Sequence, residues 1–200
     1  MRICPITLMA LCLSPLAAMA QDQSFVRPVF AQKVELSVPA NFALGYETEE
    51  AGYHLSELVP QGQSVDAWGQ MITLTGRQDM AAQMTLIDEA NRLAGNYQGA
   101  CPDSFASQPL PAPEIAGARG SFAAYLGCGD VGGQSEAMVF VIIGGAEEVY
   151  SVQWAERGLG LEATLNPNMA VWNERLRMLA ATRLCAVVAG EEAPYSPCGE

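Results

Sequence analysis

Seven consecutive residues, Ala137-Met138-Val139-Phe140-Val141-Ile142-Ile143, are apolar without exception. The run is far shorter than the roughly 20 residues a membrane-spanning helix needs, so it predicts a central strand buried on both faces. Glycine-rich turns bracket it at Gly129-Asp130-Val131-Gly132-Gly133 and Gly144-Gly145-Ala146. Strand patterns continue on either side, over Gly120 to Cys128 and Glu148 to Ala155, with Tyr150, Val152 and Trp154 on one face of the latter. A meander with a doubly apolar middle strand has to be covered by other layers.

Upstream, Val34, Leu36 and Val38 alternate with Glu35 and Ser37, a strand with one wet face that Pro39 ends. Phe42 to Thr48 and Tyr53 to Val59 read as two more strands joined by an acidic turn at Gly52. Trp68 to Thr75 reads as a fourth, with Trp68, Gln70, Ile72 and Leu74 on one face. The period then changes. Met80, Met84, Ile87, Asn91 and Ala94 fall at helical spacing, with Asp79 as cap and Gly95 or Gly99 as stop. A last helix is expected from Asn166-Pro167, burying Met169, Trp172, Leu176 and Leu179. Gln21 to Phe30 reads as a flexible lead-in, and Gln108 to Pro113 as a rigid proline loop. The order is four strands, helix, three strands, helix. It predicts an α+β fold: an antiparallel sheet of about six or seven strands packed by two amphipathic helices.

The N-terminus sets the compartment. Arg2, an apolar stretch from Ile3 to Leu16 and Ala18-Met19-Ala20 form an expected signal peptide over 1–20, cleaved before Gln21. No later run is long enough to span a membrane. Residues 21–200 are expected to form one domain, since the length and 50% hydrophobic composition suffice for one core. Cys4 and Cys12 leave with the signal. The remaining Cys101, Cys128, Cys185 and Cys198 imply two disulfides in an oxidising compartment. Three connectivities are open, of which the nearest-neighbour pairs Cys101–Cys128 and Cys185–Cys198 are favoured. Each would add roughly 3 kcal/mol by restricting the unfolded chain. No C-x-x-C spacing and one histidine argue against zinc or thiol chemistry.

Without Arg2, nine cations face 22 carboxylates, a net charge of −13. Such a surface repels phosphate backbones and anionic headgroups, which excludes nucleic-acid binding.

The arrangement resembles that of PsbP/Mog1-type domains, which pack helices against an antiparallel sheet. Gln63-Ser64-Val65-Asp66-Ala67-Trp68-Gly69-Gln70-Met71-Ile72-Thr73 is similar to a stretch of uncharacterised exported bacterial proteins. So is Tyr150-Ser151-Val152-Gln153-Trp154 followed by a tryptophan-bearing helix and a terminal cysteine. The resemblance implies a fold and an exported location, and carries over no catalytic residue.

Chemistry-bearing motifs are sparse. His54 is the only histidine; in a strand it points opposite Tyr53 and Leu55, away from any partner evident in the local sequence. Gly133-Gln134-Ser135-Glu136-Ala137 approximates a nucleophile elbow but begins a strand and precedes no histidine. Asp130 lacks the carboxylate series of a calcium loop. Trp68 and Trp154 line a ligand platform if they face solvent, and pack in the core otherwise; Trp172 belongs to the helix stripe. The binding candidates are therefore His54, Trp68 and Trp154, with no catalytic residue, metal or cofactor assigned. These features point to a noncatalytic exported module, periplasmic or secreted, that binds a partner protein or small ligand. The alternatives are an envelope-acting hydrolase using carboxylates brought together by folding, and an envelope assembly factor with an exposed apolar patch.

Overall fold

In the computed structural model, which describes residues 22–199, the doubly apolar run becomes an interior strand of a seven-stranded antiparallel sheet. Its chain neighbours flank it: β7 (Gly120–Val131), β8 (Gln134–Gly144) and β9 (Val149–Arg157) form the meander. Ala137, Val139, Val141 and Ile143 of β8 enter one core, while Met138, Phe140 and Ile142 enter another on the opposite face. The sheet is completed by β3 (Phe42–Glu50), β4 (Tyr53–Pro60), β5 (Gln70–Arg77) and β6 (Phe105–Leu110) in the order β3-β4-β5-β9-β8-β7-β6. The expected signal segment 1–20 lies outside the described residues.

A second, three-stranded sheet runs β1-β2-β10, with β1 (Asp22–Val29), β2 (Gln32–Pro39) and β10 (Arg183–Ala186). The expectation of a flexible lead-in is thereby corrected. Phe25 and Val26 pair with Leu36 and Glu35 of β2, and Val26 and Val29 are buried. Arg27 and Pro28 separate the two buried valines, so the segment shows no strand alternation in sequence. The small sheet lies against the large one, because Val29, Val34, Leu36 and Val38 share a core with Leu58, Ile72, Leu74 and Trp154. Contact is closest at Gly76, where a Cβ would sit 2.5 Å from a Val29 methyl.

Two helices join the small sheet on that face: α2 (Leu161–Leu165) and α3 (Met169–Ala180). Trp172, Leu176 and Leu179 are buried as expected. The cap is Asn168, not Asn166; its side chain accepts from the Ala170 amide at 3.1 Å, while Asn166 ends the short α2. On the other face α1 (Leu86–Ala100) lies across β7 and β8. It begins six residues later than the methionine spacing suggested. Thr85 and Asp88 exchange hydrogen bonds in a capping box, whereas Asp79 has φ 58° and cannot start a helix. Met80 and Met84 still pack against this second core, from turns. Gly95 and Gly99 fall inside the helix, so neither is its stop.

The disulfides are Cys101–Cys128, tying the end of α1 to β7, and Cys185–Cys198, tying the C-terminal segment to β10. Half of the expected proline loop, Gln108 to Leu110, is in fact strand β6, an edge position where a proline costs no ladder bond. The C-terminal segment is also held by charge. Buried Lys33 of β2 donates to Glu191 at 3.0 Å and to the Ser196 carbonyl at 3.0 Å. Hydrogen bonds from the Ser196 hydroxyl and amide, then from Lys33, lower the Glu191 carboxyl to about 2.

Candidate binding face of the large sheet

Helix α1 packs mainly on β7 and β8 and touches β5 through Glu89 and Arg77, which leaves much of the outer face of β4, β5 and β9 open. Antiparallel register aligns this face in rows. Leu55 lies opposite Thr75, and Thr75 opposite Ser151; Glu57 lies opposite Thr73, and Thr73 opposite Gln153. Of these strands, Tyr53, Leu55, Glu57, Met71, Thr73, Thr75 and Gln153 floor a cavity of about 410 Å³.

One wall is α1. Its Tyr97 hydroxyl donates to Glu136 Oε1 at 2.6 Å, and Arg157 Nε donates to Glu136 Oε2 at 2.8 Å. Burial, reinforced by the Glu136 charge, holds the Tyr97 phenol well above its ordinary value. The other end of α1 is anchored by Glu89, 1% exposed, whose carboxylate accepts from Arg92 at 2.6 Å and from Arg77 of β5 at 3.3 Å. Burial opposes ionisation of Glu89, yet the two guanidiniums outweigh it and keep the carboxyl below its ordinary value. The helix is thus fixed beside the open face by the Glu89–Arg77 ion pair toward one end and the Tyr97–Glu136 hydrogen bond toward the other.

The opposite wall is the loop between β4 and β5. Trp68 sits there, half-buried, with the Arg157 guanidinium 3.8 Å from its ring centroid. The sequence reading placed Trp68 in a strand on the same face as Ile72 and Leu74. Strand β5 instead begins at Gln70, and Trp68 lies in the cavity on the side of Met71 and Thr73. Gly45 of β3 lets this loop settle: a Cβ there would meet Val65 at 3.0 Å and Val59 at 3.3 Å.

Glu57 differs from the other acids of the face. Burial alone raises its carboxyl above the ordinary value, with no hydrogen bond or opposite charge set against it among the described residues. Its cross-strand neighbours are Tyr46 and Thr73, neither of them a lysine or arginine. The sequence reading passed over Glu57. The signal available was that Tyr53, Leu55, Glu57 and Thr73 share one face by strand alternation.

His54 and Trp154 lie on the opposite face of the sheet and do not join this cavity. Trp154 is 2% exposed, stacked 5.4 Å from Phe42, and donates its indole N–H to Glu156 at 3.1 Å. Burial between the two sheets removes it from any exposed platform. His54 is 3% exposed at the edge of that core, beside a separate cavity of about 490 Å³ that includes Arg27, Glu47, Glu49 and Tyr195. Its partners do come from the local sequence, since the hairpin at Gly52 pairs Glu49 with His54 and Glu47 with Ser56. Nδ1 lies 3.3 Å from Glu49 Oε2 and Nε2 2.8 Å from Ser56 Oγ.

That geometry resembles a serine–histidine–acid relay, but its proton order is wrong. Ser56 Oγ donates to Glu47 Oε1 at 2.7 Å instead of to the imidazole, and Ser56 is 0% exposed. A nucleophile must hand its proton to the histidine and reach its substrate. Arg27 Nε completes the chain by donating to Glu47 at 2.9 Å. The cluster joins the two sheets through mutually paired charges. Near Asp130 the elbow-like segment is also structural: Asp130 accepts from the Gly133 amide at 2.8 Å, and Ser135 accepts from the Gly160 amide at 2.8 Å.

No protein-family model matches the chain, and no curated protein matches it significantly. Among solved structures it is similar to LpqN of Mycobacterium tuberculosis, a protein involved in cell envelope biogenesis. That similarity has 13% identity and TM-score 0.45, covering 82% of this chain and 91% of the other. It is also similar to the cyanobacterial PsbP of Synechocystis sp. PCC 6803, with 8% identity and TM-score 0.44, covering 88% and 99%. The PsbP-like resemblance is one of overall arrangement, of helices against an antiparallel sheet. Among the described residues no helix is long and apolar enough to cross a membrane, and no three His, Cys, Asp or Glu side chains cluster in a way that would hold a metal ion.

Proposed function

We propose that this chain is an exported, noncatalytic binding module in a single domain, and that its ligand-binding surface is the open face of β4, β5 and β9. The observation that carries this reading is Glu57, a half-buried carboxylate left without a partner on a concave, aromatic-walled surface. Burying an acid without compensation costs stability, so an unpaired one in a cavity points to a group supplied from outside.

The two disulfides and the signal-like N-terminus support export. The hydrolase alternative asks for two carboxylates about 5–10 Å apart. Glu57 and Glu136, the acids of this cavity, are separated by three strand steps and four residues along the sheet. That places their Cα atoms roughly 20 Å apart. Glu47 and Glu49 are closer, but each is engaged by Arg27, Ser56 or His54. An assembly factor would be favoured by a contiguous apolar patch; the exposed large apolar side chains fall on β3, α1, β7, α2, α3 and the C-terminal segment, at most two to each.

The test is capture from envelope extract with the purified protein as bait and a short crosslinker. Thr73→Arg, in the middle of the face, should lose the captured partner. Val188→Arg, exposed and remote from the face in the chain's C-terminal segment, should retain it. Equal capture by both variants refutes the assignment of the surface.

A further inference from the structure

The open face continues past Tyr97. A second cavity of about 240 Å³, running toward Ala100 and Val131, shares Tyr97, Glu136 and Arg157 with the first. The two adjoin at a polar waist. At that waist every charge is used: Glu136 accepts from both Tyr97 and Arg157, and Arg157 also covers Trp68. Glu57 is the lining carboxylate left over among the described residues. Around it Leu55, Val65 and Met71 offer apolar walls, the surroundings that an alkyl stem ending in a charge prefers.

Resting on the binding-face reading above, we propose that the groove takes an extended segment of a partner protein and that Glu57 receives a lysine or arginine side chain from it. Three features favour this occupant. The unpaired group is an anion, so its complement is a cation. The two cavities adjoin across Tyr97, Glu136 and Arg157, a succession of sites that suits a polymer better than one small amine. The chain's net charge of −13 after loss of Arg2 draws a basic partner toward it and repels acidic ones. A charge-assisted hydrogen bond to a desolvated carboxylate is among the stronger polar contacts available to an interface.

The inference is tested by NMR titration of the ¹⁵N-labelled, disulfide-bonded protein. The probes are an end-capped Gly-Lys-Gly peptide, its Nε-acetyl counterpart and n-butylammonium. The lysine peptide should shift the Thr73 and Gln153 amides and the Trp68 indole N–H, binding about tenfold or more tightly than the acetylated peptide. Glu57→Gln, isosteric and readily checked for folding by its spectrum, should erase that preference. Equal binding of the lysine and acetyl-lysine peptides overturns the cation assignment and leaves the open face standing as a binding surface. Absence of shifts with both peptides also overturns it, and the Thr73→Arg capture result then judges the surface independently. If n-butylammonium binds as tightly as the peptide, the partner-segment assignment is overturned.

Discussion

Replacing Trp172 by alanine tests the packing that backs the binding face. Trp172 projects from α3 into the core between the sheets, 3% exposed, with its ring edge-on to Tyr125 at 5.1 Å. Truncating a buried tryptophan costs about 3–5 kcal/mol, the lost transfer energy plus the cavity left behind. The upper part of that range is expected, because the surroundings cannot collapse inward. Tyr125 is fixed in β7 and donates its hydroxyl to the Thr164 carbonyl at 2.7 Å; Leu176 and Leu179 are fixed on the same helix. At about 2–4 °C per kcal/mol for a chain of this size, the melting temperature should fall by about 6–20 °C. Urea unfolding followed by far-UV circular dichroism avoids dependence on tryptophan fluorescence. The m-value should be unchanged and Trp172→Phe should recover part of the loss. Helix α3 and the open face lie on opposite sides of the sheet, so peptide affinity should be unaffected where the variant is still folded. A destabilisation below about 1 kcal/mol would refute the assignment of Trp172 to a rigid core.

Stability should decline in alkali for a reason visible in three side chains. Burial lifts the phenols of Tyr97, Tyr125 and Tyr150 above the ordinary 10.0, aided by Glu136 at the first and Glu148 at the third. The unfolded chain therefore releases these protons first, so the stabilisation is complete below pH 10 and shrinks as pH rises beyond it. Phenolate absorbance from these residues should appear together with unfolding; ionisation of all six tyrosines near pH 10 with the fold intact would contradict it. For export, the protein recovered from the envelope should have an intact mass that begins at Gln21 and lacks four hydrogens, one pair for each disulfide. A chain retaining Met1 with free thiols would contradict the location.

The meander was legible because its signals are local. Glycine turns delimit three strands, and a run apolar on both faces has no place except the middle of a covered sheet. The disulfides followed from chain proximity. The small sheet was less legible, since β1 carries Asp22, Gln23, Ser24 and Arg27 and buries only Val26 and Val29, three residues apart. Strand β10 has four residues and is held by Cys198 and by pairing to β2, which lies about 150 residues away in the chain. The helix start moved from Met80 to Leu86 because two reciprocal hydrogen bonds at Thr85 decide a boundary that methionine spacing does not.

The binding face was hidden for a different reason. Strand alternation tells which residues of one strand share a side; it set Tyr53 and Leu55 opposite His54, and Met71 opposite Ile72, while the register that joins these sides belongs to the fold. It does not tell how far a helix on that side extends. Helix α1 is fixed over β7 and β8 by Leu93, Ala90 and the Cys101–Cys128 bond, so the same mixed pattern is core beneath the helix and groove beyond it. Met138 and Ala155 are cross-strand partners on this face; both belong to the core under α1 and both also line the cavity beside it. Glu57 marks where cover ends: β3, the one strand beyond it, carries neither lysine nor arginine, and no helix packs there among the described residues.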